Sequence, residues 1–114
     1  MHHRLIELYG GMDGLRDESM LKSALLAPFQ SFEGHDFYPS VTAKAARLCY
    51  ELVMDHPFLD GNKRIGTHAM LVLLELNGIS LDYKDDDLID LIFSVAKGEK
   101  DDKSIQLWVV SHLK

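Results

Sequence analysis

Apolar residues recur at helical spacing along most of this chain. Val41, Ala45, Leu48 and Leu52 step by four, three and four, while Lys44, Arg47 and Glu51 line the opposite face. That pattern predicts an amphipathic helix over 41–54, with Ser40 as its cap. Over 63–77 the pattern changes, because Ile65, the unbroken run Ala69 to Leu74 and Leu76 leave little polar face. Such a helix is expected to run through the middle of a bundle and to end at Asn77-Gly78. Residues 85–97 open on three aspartates and close on Lys97-Gly98, which suits the helix dipole at both ends. Their apolar face is Leu88, Ile92, Val95 and Ala96. Asp17 can cap a shorter helix carrying Leu21, Ala24 and Leu25, and Ile105, Trp108 and Val109 mark a final one. Residues 2–9 also read as helix but begin abruptly, so an N-terminal piece is expected to precede them.

Two stretches lack this period. Residues 10–16 are glycine-rich, through Gly10, Gly11 and Gly14. Residues 28–40, from Pro28 to just beyond Pro39, interleave aromatic with polar residues, and a short β-hairpin fits them best. The fold expected is all-α: a compact helical bundle around a buried central helix, with one short hairpin. At 114 residues it is a single domain, 1–114.

Composition narrows the classes. With 46% apolar and 26% charged residues the chain is globular rather than disordered. The longest apolar run, Ala69 to Leu74, falls far short of the ~18 residues of a membrane helix. A single cysteine, Cys49, excludes a disulfide framework and fits a reducing cytosol. No basic-then-apolar leader opens the sequence, so a cytoplasmic protein with no membrane partner is expected. A net charge of −6 argues against direct nucleic-acid binding over the whole surface, since phosphate contacts supply most of that affinity.

The candidate chemistry is concentrated in His56-Pro57-Phe58-Leu59-Asp60-Gly61-Asn62-Lys63-Arg64-Ile65-Gly66, between two predicted helices. Pro57 discourages helix at the residues before it, and Gly61 permits a tight turn. The loop should therefore wrap a helix N-terminus, where unpaired N–H groups and the positive dipole end form an anion site. Asn62, Lys63 and Arg64 add a neutral donor and two cations there. Cations are electrostatically misplaced at that end unless an anion joins them. An imidazole, a carboxylate and a phosphate cradle are what phosphoryl or nucleotidyl transfer requires. Blander readings stay open on the residues alone: a loop histidine also serves as cap or surface residue, and Asp-Gly-Asn is an ordinary turn. A metal phosphohydrolase is a further alternative through Asp55-His56, but His35 and His68 are poorly spaced to complete its site.

The stretch His56 to Arg64 resembles the signature of the Fic/Doc family, in its Doc (death-on-curing toxin) branch. Flanking segments are similar too: Tyr9-Gly10-Gly11, Gly14-Leu15-Arg16-Asp17, Tyr38-Pro39, Lys44-Ala45-Ala46, Leu76-Asn77-Gly78 and Ala96-Lys97-Gly98. The resemblance implies that His56 is the base accepting the proton of a target hydroxyl. It makes Phe58 the aromatic anchor of the loop and Asp60 the Mg²⁺-linked carboxylate. Gly61, Asn62, Lys63 and Arg64 would face the phosphates of ATP, and 28–40 would be a flap that clamps the target by strand addition.

Two positions depart from the adenylylating pattern of that family, which has Gly where this chain has Lys63 and a second Arg where it has Thr67. A Lys side chain there should obstruct the usual nucleotide pose, and Thr67 cannot replace the lost cation. Doc-type members share this change, which implies ATP-dependent phosphorylation of a Ser or Thr hydroxyl on a translation protein resembling elongation factor Tu. Protein adenylylation and an inactive binding domain with the same fold are the alternatives. The family's self-inhibitory segment, Ser/Thr-x-x-x-Glu-Gly/Asn, is missing. Glu33-Gly34 is the only Glu followed by Gly or Asn, and Phe29 stands four residues before it. A cognate antitoxin acting in trans is therefore expected, as an amphipathic helix in a groove walled by the N-terminal helix and the flap.

Overall fold

Three of the described helices begin where a side chain takes up an orphan N–H group. The computed structural model describes residues 17–55, 57 and 61–114. The predicted helix over 2–9 and the glycine-rich stretch 10–16 lie outside the described residues. Asp17 accepts from the Met20 N–H at 3.0 Å and opens α1 (Glu18–Leu26), which buries Leu21, Ala24 and Leu25. Pro28 then shapes a short 3-10 turn, Ala27–Phe29. The expected hairpin follows as β1 (Ser31–Phe32) and β2 (His35–Asp36), antiparallel, with Ser31 opposite Asp36 and Phe32 opposite His35. Glu33 and Gly34 both take positive φ, 51° and 81°, as a tight two-residue turn requires.

Ser40 caps α2 (Val41–Asp55) as its spacing predicts, its hydroxyl accepting from the Ala43 N–H at 3.0 Å. Helices α3 (Asn62–Leu76), α4 (Asp85–Ala96) and α5 (Asp102–Ser111) complete the described bundle. A reciprocal capping box between Asp101 and Ser104 starts the last of them. Among the described residues no helix is long and apolar enough to cross a membrane.

The bundle has a buried central helix, but it is α2 and not the apolar helix over 63–77. Among the described residues α2 packs against every other helix. The reason is side-chain size. Ala43, Ala45 and Ala46 let neighbours approach α2 closely, while Leu48, Leu52 and Val53 fill the space between the helices further along it. Of the apolar side chains on α3 the stripe Ile65, Ala69, Met70, Leu73 and Leu74 is buried, while Leu71 and Val72 are half-exposed and Leu76 is exposed. Of these, Leu71 lines a surface cleft.

Helices α2 and α3 approach each other closely at Gly66. A Cβ there would sit 3.0 Å from Val53 Cγ2 and 3.1 Å from the Cys49 carbonyl oxygen. This crossing sets the geometry of the connection between the two helices, residues 56–61, which carries the candidate chemistry.

Candidate functional site

Both ends of that connection are held. Pro57 is fully buried, and its carbonyl accepts from the Asp17 N–H at 3.0 Å, tying the loop to the start of α1. At the far end Gly61 takes a left-handed conformation, φ 79° and ψ 13°, which explains why glycine precedes the helix. Its carbonyl accepts from the Ile65 N–H at 2.8 Å, the first helical bond of α3. Asn62, the first helical residue, is 8% exposed and is the buried polar residue of the described core. His56, Phe58 and Asp60 lie outside the described residues.

Arg64 curls back over the turn. A Cβ built at Gly61 would lie 3.1 Å from Arg64 Nη2, so the hydrogen of glycine leaves the guanidinium its place above the helix start. No acidic residue occupies the first turn of α3. Among the described residues no carboxylate lies within ion-pair distance of Arg64 or Lys63. The positive end of the dipole therefore carries the further positive charge of Arg64, an arrangement that an anion would relieve. The structure thus brings Gly61, Asn62 and Arg64 together and sends Lys63 elsewhere. The Lys63 ammonium lies 5.5 Å from the centre of the Phe93 ring on α4. Thr67, one turn on, donates its hydroxyl to the Lys63 carbonyl at 2.7 Å.

A cleft of about 540 Å³ opens beside this helix start, between α3 and α4. Lys63, Arg64, Thr67 and Leu71 run along one wall; Phe93, Ile89 and Asp85 run along the other in the opposite sense, with Tyr83 at the far end. Sequence reasoning missed the α4 wall, although exposed apolar residues beyond the buried stripe of that helix, Ile89 and Phe93, are its signal. His68 also lines the cleft, while His35 lies on β2. Among the described residues no three His, Cys, Asp or Glu side chains are placed to hold a metal ion. Cys49 is no candidate nucleophile, since burial pushes its thiol up to about 12.

A charged cluster one turn before the loop was also missed. Arg47 pairs with Glu51 and, at 3.3 Å, with Asp102, and lies over the rings of Tyr38 and Tyr50 at 5.4 and 5.1 Å. It thereby joins the base of the hairpin, α2 and α5. Its i, i+4 spacing from Glu51, and that of Glu51 from Asp55, was the available signal. Burial and a hydrogen bond with Asp55 raise Glu51 above its ordinary value, more than Arg47 lowers it. A raised folded value means that the stabilising contribution of Glu51 is present below the unfolded value and is lost as pH rises through the folded one. Glu51→Gln should therefore leave the protein at least as stable at pH 7, with the difference closing as pH falls through the glutamate range. Thermal unfolding of both proteins from pH 4 to 8 checks this; a variant clearly weaker at pH 7 would show that the Arg47 pair outweighs burial.

The model of the Fic/DOC family matches residues 1–74. A curated relative, Toxin Doc of Mycolicibacterium smegmatis (strain ATCC 700084 / mc(2)155), is 36% identical over 99 residues, covering 85% of this chain and 76% of the relative.

Proposed function

The chain belongs to the Fic/DOC family, and from that premise we propose that it is the toxin of a toxin–antitoxin pair that phosphorylates a protein. Its donor is ATP with Mg²⁺, and its acceptor is a Ser or Thr hydroxyl on a component of the translation machinery resembling elongation factor Tu. A cognate antitoxin restrains it in trans, as the relative named Toxin Doc suggests.

The observation that carries the phosphate part of this reading is the start of α3. A left-handed glycine, a buried asparagine and a returning guanidinium meet at a helix N-terminus that lacks acidic neighbours within its first turn. These residues fit a polyphosphate, because a Cβ at position 61 would fill the space beside Arg64. In the proposed reaction His56 accepts the proton of the target hydroxyl as that oxygen bonds the γ-phosphorus and the bond to the ADP leaving group breaks. Asn62 and Arg64 hold the phosphate oxygens and spread the charge that develops on them. Asp60 is the residue that would hold Mg²⁺, which supplies further charge neutralisation when bound. The exposed β2 strand offers an edge on which an extended target segment could be laid.

Thr67 supports phosphoryl over adenylyl transfer. It carries no charge, and its hydroxyl is engaged by the Lys63 carbonyl, so it offers no cation to the far phosphates. One observation favours the second reading, protein adenylylation: Lys63 lies against Phe93 rather than across the turn, so it does not block the gap that sequence reasoning expected it to fill. Parallel reactions with α- and γ-labelled ATP in cell extract decide between them. Phosphorylation predicts label on protein from the γ position alone. Lys63→Gly combined with Thr67→Arg should shift labelling toward the α position. Transfer of α-label by the unaltered protein would overturn the kinase assignment.

A further inference from the structure

We propose that Lys44 is a positioning residue for the protein target: it fixes the free edge of β2 and limits pairing with an extended target segment to the Asp36 position. This rests on the reading of that edge as the strand that receives the target, and adds what decides where along it pairing occurs.

The hydrogen bonds of the hairpin determine which groups face the edge. Ser31 is opposite Asp36 and Phe32 opposite His35, and the Phe37 N–H donates to the Gln30 carbonyl at 3.1 Å. Bonded and non-bonded pairs alternate along an antiparallel ladder. With Gln30 and Phe37 bonded, Ser31 and Asp36 form a non-bonded pair, so the N–H and carbonyl of Asp36 point away from β1. Among the described residues β2 has no strand on its other side, and both its residues are exposed. By the same alternation the next residue to turn outward along this edge is Tyr38. Its carbonyl accepts from the Lys44 ammonium. The open edge is thus reduced to Asp36, bounded by the Glu33-Gly34 turn on one side and by Lys44 on the other.

Lys44 serves the hairpin rather than its own helix. It lies in the first turn of α2, where a cation opposes the helix dipole. Its side chain is 17% exposed, and a shielded ammonium requires partners. Both come from the returning strand: the Asp36 carboxylate at 3.2 Å and the Tyr38 carbonyl. One turn on, Arg47 lies over the Tyr38 ring and is itself held by Glu51 and Asp102. Strands of two residues do not hold a hairpin by themselves, so these contacts with α2 decide where the edge stands. The same helix runs on to Asp55, the residue before His56. One rigid element therefore carries both the edge that would align the target and the loop that would act on it. With pairing confined to one position, a single hydroxyl is presented, and its neighbours along the target strand are displaced by ~3.3 Å per residue.

The test is transfer into cell extract, freed of small nucleotides and titrated at saturating ATP labelled at both the α and γ positions. The half-saturating amount of extract reads target docking, and the plateau reads the chemistry. Lys44→Met keeps the stem and removes the donor. It should raise half-saturation ~10-fold, the worth of one charge-assisted hydrogen bond. The plateau and the ATP requirement should stay as they are, and Lys44→Arg should recover part of the loss. Asp36→Pro removes the outward N–H without touching the bond between Phe37 and Gln30, a change that edge strands tolerate. It should raise half-saturation further than Asp36→Asn; both lose the carboxylate, so the difference reads the N–H alone. Asp36 lies on an exposed strand, so these two variants should fold even where Lys44→Met does not. Half-saturation unmoved by a folded Lys44→Met, or equal in Asp36→Pro and Asp36→Asn, would overturn the proposal, while transfer by the unaltered protein would leave the transferase reading in place. A lower plateau in Lys44→Met at unchanged half-saturation would mark Lys44 as structural and overturn it too. No transfer of either label by the unaltered protein would bring down both readings.

Discussion

His56→Ala should abolish transfer while leaving the melting temperature unchanged. Loss of a general base typically costs ~10²–10⁴ in rate, and a substitution whose effect is on chemistry alone is expected to cost little stability. The neighbouring positions separate the two effects. Pro57 is buried and its carbonyl is bonded to the start of α1, a tie that does not involve the imidazole. Arg64→Ala provides the contrast, since it should raise the ATP concentration required while His56→Ala lowers the rate at saturation. The measurements are initial rates with γ-labelled ATP and calorimetric unfolding of each variant. Equal thermal damage from His56→Ala and from a core truncation such as Leu52→Ala would identify His56 as structural and remove the base from the mechanism.

The helices were legible because their spacing and caps agree. Asp17 and Ser40 are both observed capping where their positions relative to the apolar stripes place them, and the bounds of α2 and α3 lie within a residue of those expected. The hairpin was legible from its aromatic–polar alternation and its turn glycine. The identity of the central helix was not. Apolar content marks what can be buried, but alanines decide what can be surrounded, and α2 carries its alanines where neighbours pack. The cleft was invisible for a related reason: it depends on how two consecutive helices are set side by side, and Phe93 and Ile89 look like stray surface residues until α3 is placed beside them. Lys63 shows the limit at the site itself. Its position in the loop suggested obstruction, but a side chain of that length finds the nearest soft partner, here the Phe93 ring.

Gly66→Ala tests whether the crossing of α2 and α3 holds the site in shape. Two effects compete. In an exposed helix interior, alanine in place of glycine is worth ~1 kcal/mol in favour of the folded state. At position 66 the added Cβ would meet Val53 Cγ2 at 3.0 Å and Leu52 Cβ at 3.4 Å, and the Cys49 carbonyl oxygen at 3.1 Å. Methyl groups can give by a few tenths of an ångström, but the carbonyl belongs to the backbone of the central helix and moves only with it. Overpacking of this kind costs ~1–3 kcal/mol, so the clash should win. The melting temperature should fall, by roughly 4 °C for each kcal/mol in a domain of this size. Because residues 56–61 join the two helices at this crossing, spreading them displaces Asn62 and Arg64 relative to the end of α2. Transfer should therefore fall well below the melting transition, where the fold is intact, and small misplacements of reacting groups can cost up to ~10² in rate. A control at Gly78, where an added Cβ meets nothing within 4 Å but φ is 75°, should lose stability through backbone strain alone and keep its rate. A Gly66→Ala protein that melts higher than the original and transfers at the same rate would show that the two helices have room to spare, and that the loop takes its shape from its own residues.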